Sequence, residues 1–139
     1  MPPRVYVETP VISYLAARPS RDLITAARQQ ITHDWWRRRR PDFEVFVSQL
    51  VLDEAQAGDP DAALRRADIL ADLPLLDITS AAVAFARRLM DAVGLPRQAA
   101  ADALHIATAA CNGVNYLLTW NVAPSKGAPQ LVGPSTKKT

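Results

Sequence analysis

The stretch Ala101–Asn121, ADALHIATAACNGVNYLLTWN, decides how the chain is to be read. Small and aliphatic residues run to a stop at Gly113. The apolar segment YLLTW then leads to a polar end at Asn121. A helix closed by glycine and followed by a short apolar run is one helix–strand unit of a parallel sheet. The stretch also carries one acid, Asp102, near the start of its helix.

Working outward, the same grammar recurs upstream. VYV at 5–7 is a short central strand ending at Glu8, and Thr9-Pro10 is a helix start, a capping hydroxyl followed by proline at the first helical position. A second helix opens at Ser20–Asp22, with Ile24, Ala27, Ile31 and Trp35 on one side. It closes at the arginine block Arg37–Arg40 before Pro41. FEVFV at 43–47 is the second strand, with Ser48 as cap of a helix that carries Glu54. Asp59-Pro60 restarts a helix over 61–73, LLDI at 75–78 is the third strand, and Thr79 or Ser80 caps the next helix. The helix over 97–112 and the strand over 115–120 complete the order.

This order predicts a three-layer α/β/α sandwich with a central parallel sheet of four or five strands. One domain is expected over residues 1–121. The segment 122–139, VAPSKGAPQLVGPSTKKT, has three prolines and no helical or strand period, and is expected to be an irregular, partly disordered tail.

Bulk properties agree with one ordinary globular domain: 139 residues, 49% apolar, 22% charged and a formal net charge of +2. No apolar run is long enough to span a membrane, and MPPRVYVETP does not read as a signal peptide. The single cysteine, Cys111, excludes an intrachain disulfide, fits a reducing, cytoplasmic compartment and is expected to be a buried thiol. There is no P-loop, no G-x-G-x-x-G after either early strand, and no metal-ligand spacing linking His33 or His105 to Cys111.

What remains is a set of acids. Each has an ordinary structural explanation: Glu8 beside the free amides of a helix, Glu54 on a solvated face, Asp102 at a helix N-terminus. Together they form a pattern, because Glu8, Glu54 and Asn121 follow strand ends and so open at the carboxyl edge of a parallel sheet, where ligands bind. Asp102 belongs to the helical wall beside them. Clustered carboxylates repel one another unless a cation neutralises them, and an all-oxygen donor set favours Mg²⁺ or Mn²⁺.

Strand–Glu8–Thr9–Pro10–Val11–Ile12, Ser48-x-x-Val51-x-x-Glu54, Asp102-Ala-Leu-His-Ile-Ala107 and Leu117-Leu-Thr-Trp-Asn121, in that order, resemble the PIN-domain family. Within it they are most similar to the ribonuclease toxins of VapBC-type toxin–antitoxin pairs. The resemblance covers about residues 4–121. It implies a PIN-like fold and a metal-dependent endoribonuclease with Glu8, Glu54, Asp102 and Asn121 as catalytic positions. The first three would be metal ligands for Mg²⁺ or Mn²⁺, and the products would carry a 5′-phosphate and a 3′-hydroxyl. It also implies an RNA substrate, a cognate antitoxin protein and a homodimer. Thr119 matches the hydroxyl residue that helps hold the family's site. Thr9, Arg97, His105, Thr119, Arg37 and Arg38 are the candidates for substrate contact, His105 alternatively orienting an acid or packing locally.

The chain departs from the family pattern in having Glu8 for aspartate, Asn121 for a fourth acid, and VAPSKGAPQL where a histidine and a closing helix are usual. These departures keep a second reading open, a catalytically impaired PIN-fold binding module. A third, a DNA nuclease, stays open because carboxylate chemistry does not distinguish the sugars.

Overall fold

The computed structural model of the chain describes residues 2–120 and 130–132. Its elements run β1 Arg4–Val7, α1 Thr9–Ala16, α2 Leu23–Arg38, β2 Glu44–Ser48, α3 Gln49–Ala55, α4 Pro60–Leu70, β3 Leu75–Leu76, α5 Ser80–Val93, α6 Ala100–Cys111, β4 Tyr116–Thr119 and β5 Gln130–Val132. Short 3₁₀ turns at Arg40–Asp42 and Arg97–Ala99 lead into β2 and α6.

The sheet order is β3-β2-β1-β4-β5. β1 to β4 are parallel, so the expected parallel sheet is present, while β5 runs antiparallel to β4. The chain steps outward from β1 to β2 to β3, then crosses back to the other side of β1 for β4. Right-handed crossovers in opposite directions place the two sets of helices on opposite faces. The order reverses at β1 and β4, and the crevice beyond their carboxyl ends is the binding position of such a sheet.

The central strand is buried on both faces, with Val5, Tyr6 and Val7 all at 0% exposure. The β1–β4 register pairs Tyr6 with Leu117 and Val7 with Leu118. It is pinned at the other end by Asn115, whose Oδ1 accepts from the Arg4 N–H at 2.9 Å and whose N–H donates to the Arg4 carbonyl at 3.0 Å. α6 packs on α5 through alanines, Ala103 and Ala107 against Ala82 and Ala86, with Phe85, Leu89 and Met90 around them. Side chains this small let two backbones approach, which fixes the height of α6 beside the sheet. Gly113, at φ 66°, then turns the chain into β4, with the Val114 N–H donating back to Ala109.

The structure revises several local expectations. Glu8, not Thr9, is the N-cap of α1, with Pro10 in the first turn. The Ser48 side chain makes no cap bond to α3. β2 is shifted one residue on, α4 ends at Leu70, and β3 has two residues. The buried positions of α2 are Gln29 and Thr32, while Ile24 is 66% exposed. Trp35 and Trp36 pack partly on the core. Cys111 is exposed, because the helix face that meets the sheet carries Ala107, Thr108 and Ala109 instead. The segment after 121 is not irregular throughout. Gln130–Val132 pairs with Leu117–Thr119, since an unpaired strand edge offers a row of backbone donors and acceptors that three residues with no pattern of their own can meet.

Candidate active site

Glu8 continues the β1–β4 ladder by one residue, its N–H donating to the Leu118 carbonyl at 3.1 Å. That bond lays it beside Thr119, whose side chain hydrogen-bonds the carboxyl group. The residue is 3% exposed and makes no capping bond to α1. Burial pushes the Glu8 carboxyl above the usual glutamate value. The Thr119 bond and the His105 ring oppose this rise, whereas the charges of Asp102 and Glu54 add to it.

Glu54 lies in the last turn of α3 and is held from behind. Its Oε1 accepts from the Thr9 hydroxyl and lies 2.9 Å from His105 Nε2. Thr9 therefore spends its hydroxyl on an acid, which is why it does not cap α1. His105, on α6, is 2% exposed, and its Nδ1 lies 2.6 Å from the Tyr6 hydroxyl. The Tyr6 hydroxyl lies 2.7 Å from Ser48 Oγ. Burial, first among several causes, raises the Tyr6 pKa well beyond the usual tyrosine value, so the phenol keeps its proton. A carboxylate only accepts, so Nε2–H donates to an ionised Glu54. In the neutral imidazole Nδ1 then accepts from Tyr6 O–H, and the Tyr6 oxygen accepts from Ser48. The chain Ser48→Tyr6→His105→Glu54←Thr9 is thus satisfied at every step.

Asp102 sits in the first turn of α6, one turn before His105, and is exposed. Glu8, Glu54 and Asp102 border one cleft of about 440 Å³, together with Thr9, Pro10, Ser13, Tyr14 and His105. Strand end, helix and helical wall bring three acids to the carboxyl edge of the sheet. Arg97 is exposed on the turn that leads into α6, on the same segment as Asp102.

Other candidates fall elsewhere. Arg37 and Arg38 end α2 immediately before the start of β2, at the amino edge of the sheet, while the acids stand at the opposite edge, a strand length of roughly 13 Å away. There Arg37 pairs with Asp34 at 2.8 Å, and Arg40 lies over the Trp36 ring at 4.6 Å. His105 is sealed behind Glu54 with both ring nitrogens engaged, so it reaches the cleft through that acid and does not stand as an open contact. Asn121 lies outside the described residues. Tyr6 was not marked by the sequence reading, and Ser48 was marked as a helix cap, not as a partner of Tyr6. The available signal was a hydroxyl in the middle of an otherwise apolar strand, since a buried tyrosine needs a hydrogen-bond partner.

Among the described residues, no three His, Cys, Asp or Glu side chains are already gathered into a metal-binding group. The chemistry of the donors fits a hard cation all the same. A buried carboxyl raised by two neighbouring acids, in a cleft whose charged groups are oxygens, is relieved by a divalent ion that takes oxygen ligands and keeps waters.

A match to the PIN domain family covers residues 5–121. Among solved structures, the chain is similar to the crystal structure of VapBC2 from Rickettsia felis bound to a DNA fragment from their promoter. The likeness has a TM-score of 0.62 at 17% identity, over 84% of this chain and 87% of that one. At that identity it speaks to the fold. No curated protein matches.

Proposed function

The chain belongs to the PIN-domain family, and from that premise we propose that it is a metal-dependent endoribonuclease of the toxin type. PIN domains are nucleases, so an enzyme acting on nucleic acid follows from the family; the ion and the RNA substrate belong to the proposal. One observation carries it: Glu8, Glu54 and Asp102 come from three separate elements and meet at one cleft beyond the carboxyl ends of β1 and β4.

In this reading Glu8, Glu54 and Asp102 hold Mg²⁺ or Mn²⁺, and Asn121 serves as a neutral ligand or holds a water. When bound, the ion supplies Lewis-acid polarisation of a phosphodiester and lowers the pKa of water. Thr119 fixes the Glu8 carboxyl, and Thr9 with His105 fixes that of Glu54. Arg97 is the cation best placed to meet a phosphate at this edge. The substrate is RNA in single-stranded or loop form, in which the scissile phosphate reaches the cleft. By its likeness in fold to a VapBC2 structure, a small antitoxin protein is the expected partner. A second copy of the chain is the other, Leu23 and Ile24 being exposed apolar residues at the start of α2.

The impaired-module reading is favoured by a different observation, that the described acids are not drawn into a closed ligand set. One experiment separates the readings. Wild type and Asp102→Ala, each free of partner, are compared for growth arrest and for cleavage of total RNA with Mn²⁺ or Mg²⁺. RNA cut by wild type alone supports the proposal. No difference between the two supports the module, and cleavage of DNA with RNA spared supports a DNA nuclease.

A further inference from the structure

We infer that Tyr6, with His105, is a positioning residue for Glu54, holding its carboxylate at the angle a cation needs. The inference rests on the reading of Glu54 as a ligand. Its support is geometric. The hydrogen-bonded chain starts in the sealed core, where Ser48 and Tyr6 have no exposure and His105 has 2%. It ends at Glu54, whose side chain is 33% exposed in the cleft. Four elements anchor it: β2 through Ser48, β1 through Tyr6, α6 through His105 and α1 through Thr9.

Both bonds to Glu54 fall on the same atom, Oε1. Two donors from different directions fix the carboxylate plane and leave Oε2 as the oxygen not taken by His105 or Thr9. A phenol, an imidazole and a hydroxyl packed between apolar side chains must all be satisfied, and replacing them with apolar groups of similar shape is nearly neutral for stability. What such a chain supplies is direction. Outer partners of this kind fix ligand orientation, and losing one typically lowers metal affinity about 10–100-fold.

Tyr6→Phe deletes one oxygen and keeps the ring; His105→Gln keeps one donor. Both are titrated with Mn²⁺ by calorimetry beside wild type, Glu54→Gln and the Glu54→Gln/Tyr6→Phe double variant, with thermal midpoints recorded for each. The expected result is Mn²⁺ binding weaker by about tenfold in Tyr6→Phe, with no further loss when Tyr6→Phe is added to Glu54→Gln. For RNA cleavage, kcat falls while KM stays put. Wild-type Mn²⁺ affinity in Tyr6→Phe, or an equal loss in the Glu54→Gln background, overturns the inference. Should His105→Gln fail to fold, Tyr6→Phe decides alone. A wild type that binds Mn²⁺ but leaves RNA intact overturns the substrate reading, and the Mn²⁺ titrations still judge the positioning role. A wild type that takes up no Mn²⁺ overturns the cation reading. The His105 Nε2–H proton resonance then decides: a bond to Glu54 weakened in Tyr6→Phe supports the role, and an unchanged resonance overturns it.

Discussion

The two ends of the parallel sheet are furnished in opposite ways. At the carboxyl edge, three acids face one another, and two of them are held by hydroxyls and an imidazole from the core. At the amino edge, arginines lie on aromatic rings. Arg40 covers Trp36, Arg39 lies 5.7 Å over Phe43, and Arg4 lies 4.8 Å over Phe46. Phe43 in turn stacks on Trp35 and meets Tyr116 edge-on. The amino edge spends its charges on neighbours already present, whereas the carboxyl edge keeps like charges together at a cost. Like charges kept together beside buried hydrogen-bonded groups mark a place prepared for something not part of the chain.

The sharpest way to break this comparison is to remove an acid. Glu8→Ala is expected to lower RNA cleavage by about 10²–10³-fold, because losing a ligand costs several kcal/mol in the transition state and each 1.4 kcal/mol is tenfold. Initial rates with saturating Mn²⁺ check it, and a rate within about threefold of wild type would place the chemistry elsewhere.

The amino edge is expected to answer in stability. Phe43→Ala should cost about 2–3 kcal/mol by removing a ring that joins Trp35 to Tyr116. Denaturant melts measure it, and unaltered cleavage per folded molecule would complete the contrast.

A subtler effect concerns pH. The Glu8 carboxyl is raised in the folded chain, so its protonated form suits the fold better than its charged form. Its contribution to stability is complete below the usual glutamate pKa and is lost as pH rises through the higher folded value. Glu8→Gln should therefore melt higher than wild type at neutral pH, with the gain shrinking as pH falls from the raised folded value to the usual glutamate value. Thermal scans across that range test it, and a gain that grows in acid would contradict the burial argument.

The smallest effect is expected from the arginine block. Arg37→Ala with Arg40→Ala should change the cleavage rate by no more than about twofold at fixed salt, since ion pairs this exposed contribute little and the block faces away from the cleft. A large rise in KM would show that RNA reaches the far edge as well.

These contrasts also explain what the sequence disclosed. Strand and helix order was legible because each short apolar run is fenced by proline, glycine or a capping residue, as at Asp59-Pro60 and Thr79. The acids were legible because strand ends in a parallel sheet share one edge. The edge on which the arginine block stands was not legible because net charge carries no position; only the direction of α2 tells which edge it reaches. The Tyr6–His105 bond joins residues 99 apart in the chain and depends on strand register and on how closely the alanines of α5 and α6 let the helices approach. No local pattern encodes either. β5 went unseen for the same reason, since its pairing is supplied by the edge of β4.

The seating of β1 between β2 and β4 has a consequence for the order of events during synthesis. Glu8 is made well before β4, yet its ladder bond and its threonine partner both come from that strand, and Arg4 meets Asn115 across a separation of 111 residues. At ribosomal rates of about 5–20 residues per second, the stretch from the end of β2 to the end of β4 takes on the order of ten seconds to emerge. Contacts this distant in sequence close late in folding, after local helices have formed. The acid cleft is therefore assembled late: a nascent chain carries Glu8 and Glu54 throughout the synthesis of the residues between α3 and α6 without the wall that turns them into a site.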